Sequence, residues 1–524
     1  MPNSVDFSGR PFHFIGIGGI GMSALAHILI KRGIPVSGSD IRLNHLTQHL
    51  KQLGVHIFCS QDASNVEFFS RRECESVRTA RATAAVGVAT PHSSSPDSRE
   101  TSRTVAGVET SQPPKTLLPQ VICSTAIHPA NSEYRTALDL GCPIFHRSDV
   151  LAALINDYQS IAVAGTHGKT TTSSLIGHVL LNTGIDPTIV VGGEVDSWGG
   201  NACLGQGPYL VAEADESDGS LAKLSAYIGI VTNIELDHPD HYDTLDEVVN
   251  TFRTFSERCN TLVGCIDCEV VRDRMAPEIS YSLNPAADAT YTADQIVYGG
   301  DGTQARIWER GTLLGQLTLP LLGKHNLSNA LAAVAVGRLL GLEFEAIAAA
   351  IATFEGAHRR FECRGEHNDI LFVDDYAHHP SEISATLAAA RLQVQSSAEN
   401  SRQRVVAIFQ PHRYSRAAAF LSEFGQCFGD ADEVVISDIY SAGEPNLSGI
   451  SSQDVAEAIA ANHTSVHYQS SLQSVRTLLE SLLRPGDLAI FLGAGNLNQI
   501  IPEVMAFHQE RADDSLPHRA FKAS

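Results

Sequence analysis

The feature that most constrains this chain is the run Gly165-Thr166-His167-Gly168-Lys169-Thr170-Thr171, which directly follows the apolar segment Ser160-Ile161-Ala162-Val163-Ala164. A buried strand that breaks into a glycine turn and opens a helix (Thr172 to Ile176) aims backbone N–H groups at an anion. The lysine adds a point charge, and the next hydroxyl is placed for Mg²⁺. The spacing is shorter than in the common phosphate loop: G-x-x-x-x-G-K-[ST] needs glycine at position 163, where this chain has Val163. What stands here is the compressed G-x-x-G-K-T.

A length of 524 residues exceeds one ordinary core and predicts two to four domains. The net charge of −22 argues against a nucleic-acid partner, which needs a basic face. Phosphate must therefore be bound locally, by loops and a few cations. Ten cysteines over this length form no disulfide framework, and the single C-x-x-C (Cys265, Cys268) lacks a second pair to complete a zinc site. Residues 11–30 carry no formal charge, but Gly16, Gly18, Gly19 and Gly21 interrupt them. A strand-turn-helix explains those glycines and a membrane helix does not. The expectation is a cytoplasmic protein with no membrane insertion.

Three blocks each open with a strand pattern, and helical patterns separate the strands that follow. This predicts α/β domains built on parallel, doubly wound sheets: a Rossmann-like domain over 1–158, a central domain of the P-loop ATPase type over 159–357, and a second Rossmann-like domain over 358–506. Residues 507–524 read as a polar, frayed tail. Within the first block, residues 70–115 contain no Leu, Ile, Met, Phe, Tyr or Trp and read as a disordered insertion.

Ligands of open α/β sheets sit at the carboxyl ends of strands. Glu213 ends one strand pattern, and His238 closely follows another (Ile228 to Asn233), which places both on the rim of Lys169 and Thr170. A carboxylate, an imidazole and a hydroxyl beside a triphosphate suit Mg²⁺. The segment Gly323 to Ala330 reads as a capped helix start, with Asn326 or Ser328 as the N-cap; its Asn and His side chains could also reach a base edge. Arg359 and Arg360 sit at the second domain boundary, either as surface charge or reaching a transferring phosphoryl group. In the third block, Asp374 to Pro380 and Phe409 to Arg416 follow strands and place His378, His379, His412 and Arg413 on one cleft. The N-terminal Gly16, Gly18 and Gly21 fit G-x-G-x-x-G, which marks a diphosphate on a helix N-terminus without specifying a nicotinamide.

Together these motifs resemble the Mur ligases of peptidoglycan synthesis, and within them the alanine-adding branch. The likeness rests on GIGGIGMSALA (Gly16–Ala26), GTHGKTTT (Gly165–Thr172), EADESD (Glu213–Asp218), NIELDHPD (Asn233–Asp240), Lys324-His325-Asn326, Arg359-Arg360-Phe361, Asp374–Pro380 and Phe409–Arg416. It implies ATP and Mg²⁺ as cofactors, UDP-N-acetylmuramate and L-alanine as small-molecule substrates, and a monomer or weak homodimer. It implies further that Gly165, Thr166, His167, Gly168, Lys169, Thr170 and Thr171 cradle ATP, with His325, Asn326 and Asn329 facing adenine. Thr170, Glu213 and His238 would place the metal. Gly16, Gly18, Gly19, Gly21, Ser39, Asp40, Ser124 and Thr125 would hold the UDP moiety. Lys169, Arg359 and His378 would be catalytic, and Arg360, Tyr376, His379, His412 and Arg413 would bind substrate.

Many relatives carry a carboxylated lysine after the Asp-His segment, yet residues 239–262 contain no lysine. The alanine-adding branch also lacks it. Ala377 stands where glycine is frequent in the family, which stiffens that loop slightly. The alternatives are another Mur-type ligase, such as one that recycles murein peptides, an ATP-driven conformational switch, and a nicotinamide dehydrogenase.

Overall fold

The computed structural model describes residues 4–67, 118–396 and 403–515; the insertion expected at 70–115 lies outside them. The chain divides into two compact units, Met1–Leu151 and Ala152–Ser524.

The first unit is built on a five-stranded parallel sheet in the order His56–Phe58, Val36–Ser39, Phe12–Ile15, Gln120–Cys123, Ile144–His146. Phe12 pairs with both Val36 and Gln120, so chain order reverses direction on either side of the central strand. The glycine turn leaves that strand at the reversal, where open α/β sheets bind ligands.

The second unit holds two sheets. The larger has ten strands, and its parallel centre runs Ile279–Ser282, Thr261–Cys265, Ile228–Val231, Gln159–Ala164, Tyr209–Glu213, Thr188–Val195. An antiparallel meander (Tyr291–Gly299, Gly302–Glu309, Thr312–Leu319) extends one edge, and the short strand Gly200–Cys203 closes the other. The smaller sheet runs Glu362–His367, Ile370–Asp375, Asp487–Leu492, Arg404–Phe409, Glu433–Ser437, Val466–Gln469; only its first pair is antiparallel.

Two helices with little amphipathic pattern explain the core of the larger sheet. Lys169–Asn182 and Lys324–Leu339 are buried on nearly all sides because they pack on the sheet and on each other. Their small residues permit close packing: a Cβ on Gly177 would lie 2.9 Å from Ile189 Cδ1 of the sheet, and one on Gly337 would lie 2.7 Å from Ile347 Cδ1 of the neighbouring helix Phe344–Ile351.

Two local expectations are corrected. The second of these helices begins at Lys324 with Gly323 as its N-cap, so neither Asn326 nor Ser328 caps it; Asn326 instead donates back to Leu322 O. The polar tail expected from 507 is helical through Ser515, because Val504 and His508 are buried. No helix among the described residues is long and apolar enough to cross a membrane.

Candidate active site

The strand Gln159–Ala164 lies between Tyr209–Glu213 and Ile228–Val231, all parallel, so three strands deliver their ends to one rim. The phosphate loop is held by the end of its neighbour. Asn233 O accepts from Thr166 N (3.0 Å), Asn233 Oδ1 from His167 N (2.8 Å), and Thr232 Oγ1 donates to His167 O (2.6 Å). Gly168 then caps the helix at φ +81°, where a Cβ would sit 2.6 Å from Asn329 Oδ1. That close approach and the left-handed backbone both demand glycine. Thr170 and Thr171 are buried in the helix's first turn, so its free N–H groups are what the loop offers an anion.

Lys169 Nζ donates to Gly165 O (2.7 Å), Thr166 O (3.1 Å) and the Glu216 carboxylate (2.9 Å). Burial would strip its proton, but Glu216, Asp215 and Glu213 outweigh it and hold the amine above its ordinary value. Glu216 is 1% exposed and went unnoticed as a partner in the sequence, although it lies within EADESD.

Beside the expected metal trio of Thr170, Glu213 and His238 the structure gathers two further carboxylates. Glu213, at the end of its strand, accepts from Gly192 N (2.8 Å). The donor atoms of Asp215, Glu216 and His238 lie within 4.8 Å of one another. Burial lowers the His238 pKa, which favours the neutral imidazole that can ligate. Two carboxylates and an imidazole beside a phosphate loop fit a divalent cation that keeps water and phosphate oxygens as its other ligands. Thr170 Oγ1, one residue after Lys169, accepts from Arg360 Nη2 at 3.2 Å.

That bond revises the arginine pair. Arg359 turns away from the loop, donating to Gly493 O (2.6 Å) and lying 3.5 Å from the Asp374 carboxylate, whereas Arg360 reaches Thr170. Arg359 and Phe361, on either side of Arg360, both have positive φ (58° and 52°). Glu362 accepts from Arg359 N and Asp375 from Phe361 N, pinning this unusual backbone. Tyr376 lies under both guanidinium groups, 4.9 and 5.2 Å from its ring centre.

The third-domain groups gather beside these. His378 and His412 meet edge to face at 5.7 Å, and His412 stacks on Tyr440 at 5.8 Å. Burial and nearby cations lower His378 to about 4 and His412 to about 2, so both are neutral at pH 7. His379 instead packs between His167 and Phe420. Arg413 pairs with Asp240, and the buried Arg416 pairs with the buried Asp237 at 2.9 Å. Arg416 and Asp237 were missed as functional candidates, though both fall inside motifs already singled out.

His325, Asn326 and Asn329 line one cavity together, and His325 also lines a second. His325, Lys324 and Ser328 line one of about 790 Å³ between the two sheets' helices, and burial lowers the His325 pKa to about 4. His325, Asn326 and Asn329 all line a smaller one of about 240 Å³ with Gly168, Thr171 and Arg360.

In the first unit, Gly16 N and Ile17 N donate to Ser39 O, and Gly18 N to Asp40 Oδ2 (2.8 Å). Asp40 thus braces the glycine turn. Gly19 is exposed at the N-cap and Gly21 lies in the first turn of helix Ile20–Lys31. Ser39 is corrected: its side chain is fully buried and its hydroxyl donates to Glu133, part of a buried network with His13, Ser37 and Asn65. Ser124 and Thr125 sit in the turn after Gln120–Cys123, with Thr125 exposed.

Three family models tile the chain: "Mur ligase family, catalytic domain" over residues 11–159, "Mur ligase middle domain" over 163–337, and "Mur ligase, glutamate ligase domain" over 359–495. The chain belongs to the Mur ligase family. The UDP-N-acetylmuramate–L-alanine ligase of Nostoc punctiforme is 62% identical over 512 residues, covering 98% of this chain and 99% of that protein. The solved UDP-N-acetylmuramate–alanine ligase of Thermotoga maritima is 26% identical, with a TM-score of 0.73 over 97% of this chain and 100% of that one. A murein peptide ligase from Psychrobacter arcticus shares the fold at 22% identity, with a TM-score of 0.67 over 96% of this chain and 99% of that one.

Proposed function

We propose that this Mur ligase joins L-alanine to the carboxylate of UDP-N-acetylmuramate at the expense of ATP, forming ADP and phosphate. The full-length likeness to alanine-adding ligases supports this reading over murein-peptide recycling. The observation that carries the chemistry is Lys169 at a helix N-terminus, facing the arginine and neutral-histidine cluster of the smaller sheet.

The glycine turn of the first unit would hold the UDP diphosphate on the N-terminus of helix Ile20–Lys31. In the second unit, Lys169 and the N–H groups of the phosphate loop neutralise triphosphate charge, and Arg360 stands beside Thr170 to meet the transferring phosphoryl group. Asp215, Glu216, His238 and Thr170 are the residues that would hold Mg²⁺, which when bound screens the phosphate oxygens. Phosphorylation of the muramyl carboxylate gives an acyl phosphate; the alanine amine attacks it and phosphate leaves. The attacking amine must first lose a proton. His378 Nδ1 donates to Tyr376 O (2.9 Å), which leaves Nε2 as the lone-pair acceptor of a neutral ring.

The test is ADP release measured against a panel of amino acids with and without UDP-N-acetylmuramate. Release that requires both the sugar nucleotide and L-alanine, and that vanishes in Lys169→Ala, is expected. Release without an amino acid would support an ATP-driven switch instead.

A further inference from the structure

One side chain of the phosphate loop reaches into the smaller sheet's domain. His167 Nδ1 lies 3.1 Å from Glu382 Oε1, and its Nε2 lies 3.4 Å from Glu235 Oε2. Its ring also packs on His379 at 4.7 Å. Glu382 stands in the first turn of helix Pro380–Ser396, and its other oxygen accepts from the backbone N–H groups of His378 (3.1 Å) and His379 (3.3 Å). Ser381 Oγ donates to Glu235 Oε2 (2.7 Å), closing the circuit back to the larger sheet.

These contacts connect two things that must act together. The backbone of His167 is fixed by Thr232 and Asn233, so its side chain follows the loop rigidly. The backbone of His378 is fixed by Glu382, so the proton-accepting ring follows that carboxylate.

We infer that His167, Glu235 and Glu382 form an ionic latch through which occupation of the phosphate loop positions the His378–His379 turn for the amino acid. The latch rests on the proposed ATP-dependent ligation. His167 is a positioning residue here, acting through Glu382.

The same cluster has the spacing of a metal site, since donor atoms of His167, Glu235 and His379 lie within 4.8 Å of one another. A proton fills that role better. Burial alone would lower the His167 pKa, but the two carboxylates raise it to about 10. An imidazolium cannot ligate a cation, and it hydrogen-bonds Glu382 while its charge faces the Glu235 carboxylate 3.4 Å away.

Coupling between sites is reciprocal and commonly amounts to roughly 5- to 150-fold in affinity. The experiment compares the full chain with Glu382→Gln, His167→Asn and the double variant. Hydrogen exchange over residues 376–384 is followed with and without a non-hydrolysable ATP analogue, beside the KM for L-alanine. In the wild type the analogue is expected to slow exchange in this segment; in Glu382→Gln that response is lost while the analogue still binds. Each single variant raises the KM for L-alanine within the range above, and the double variant is no worse than the poorer single. Ser381→Ala, which removes one peripheral bond, serves if Glu382→Gln does not fold and should weaken the exchange response partially. Analogue-dependent protection that persists in the variant that folds, or KM effects that multiply independently, would overturn the latch. ADP release by the wild type without dependence on an amino acid would overturn the ligase reading, while the exchange response still reports on the latch.

Discussion

Replacing Gly165 with alanine puts a methyl group where Thr232 already stands. The added Cβ would lie 1.9 Å from Thr232 Oγ1 and 3.1 Å from its Cβ and backbone N, at a φ of +142°. Thr232 is 4% exposed, and its hydroxyl donates to His167 O, so it can turn aside only by releasing that bond. Holding an L-residue in this backbone region costs about 1–3 kcal/mol, and a lost hydrogen bond adds about 1 kcal/mol. If the loop relieves the sum by shifting, nucleotide affinity falls by about 2–4 kcal/mol, or roughly 30- to 700-fold at 1.4 kcal/mol per decade. Titration calorimetry with ATP on Gly165→Ala, Thr232→Ala and the double variant checks this. Thr232→Ala alone should cost about 1 kcal/mol, and the double variant should cost clearly less than the two singles added, because the clashing hydroxyl has gone. Additive losses, or a Gly165→Ala protein that binds like the wild type, would refute the steric argument.

Arg416→Met leaves Asp237 buried without its guanidinium and should destabilise the second unit by about 3–5 kcal/mol, read as a lower urea midpoint. Arg360→Ala should lower kcat for ADP formation by roughly 100-fold, whereas Arg359→Ala should mainly lower the melting temperature, because only Arg360 reaches Thr170. The His167 pKa is raised from 6.5 to about 10, so its stabilising contribution is complete below pH 6.5 and fades as pH rises toward 10. The gap in urea midpoint between wild type and His167→Asn should accordingly be widest at pH 6 and narrow by pH 10; a gap that widens with pH would be the wrong sign.

Local chemistry made part of the site legible from the sequence. A strand, a glycine turn, a lysine and a helix are consecutive in the chain, and short-range sterics and hydrogen bonding suffice to place them. The parallel α/β class was legible for the same reason, since strand and helix periods alternate along the chain. The antiparallel meander at 291–319 was not: its residues alternate over an edge whose burial depends on what packs there. The helix through Ser515 was hidden similarly, because its polar residues outnumber the few that dock.

What the sequence by itself determined is the phosphate loop, the α/β class and the family, each carried by residues adjacent in the chain. Only the tertiary structure decided which of several equivalent side chains takes which partner. Arg360 rather than Arg359 faces Thr170, at a boundary where the residues on both sides of it have positive φ. Glu216 hydrogen-bonds Lys169, while Glu213 accepts from Gly192 N. His167 belongs to the loop by sequence, but its side chain is committed to a glutamate 215 positions away. Such choices turn on fractions of a turn of backbone and on carboxylates delivered from remote strands, and no periodicity along the chain encodes them.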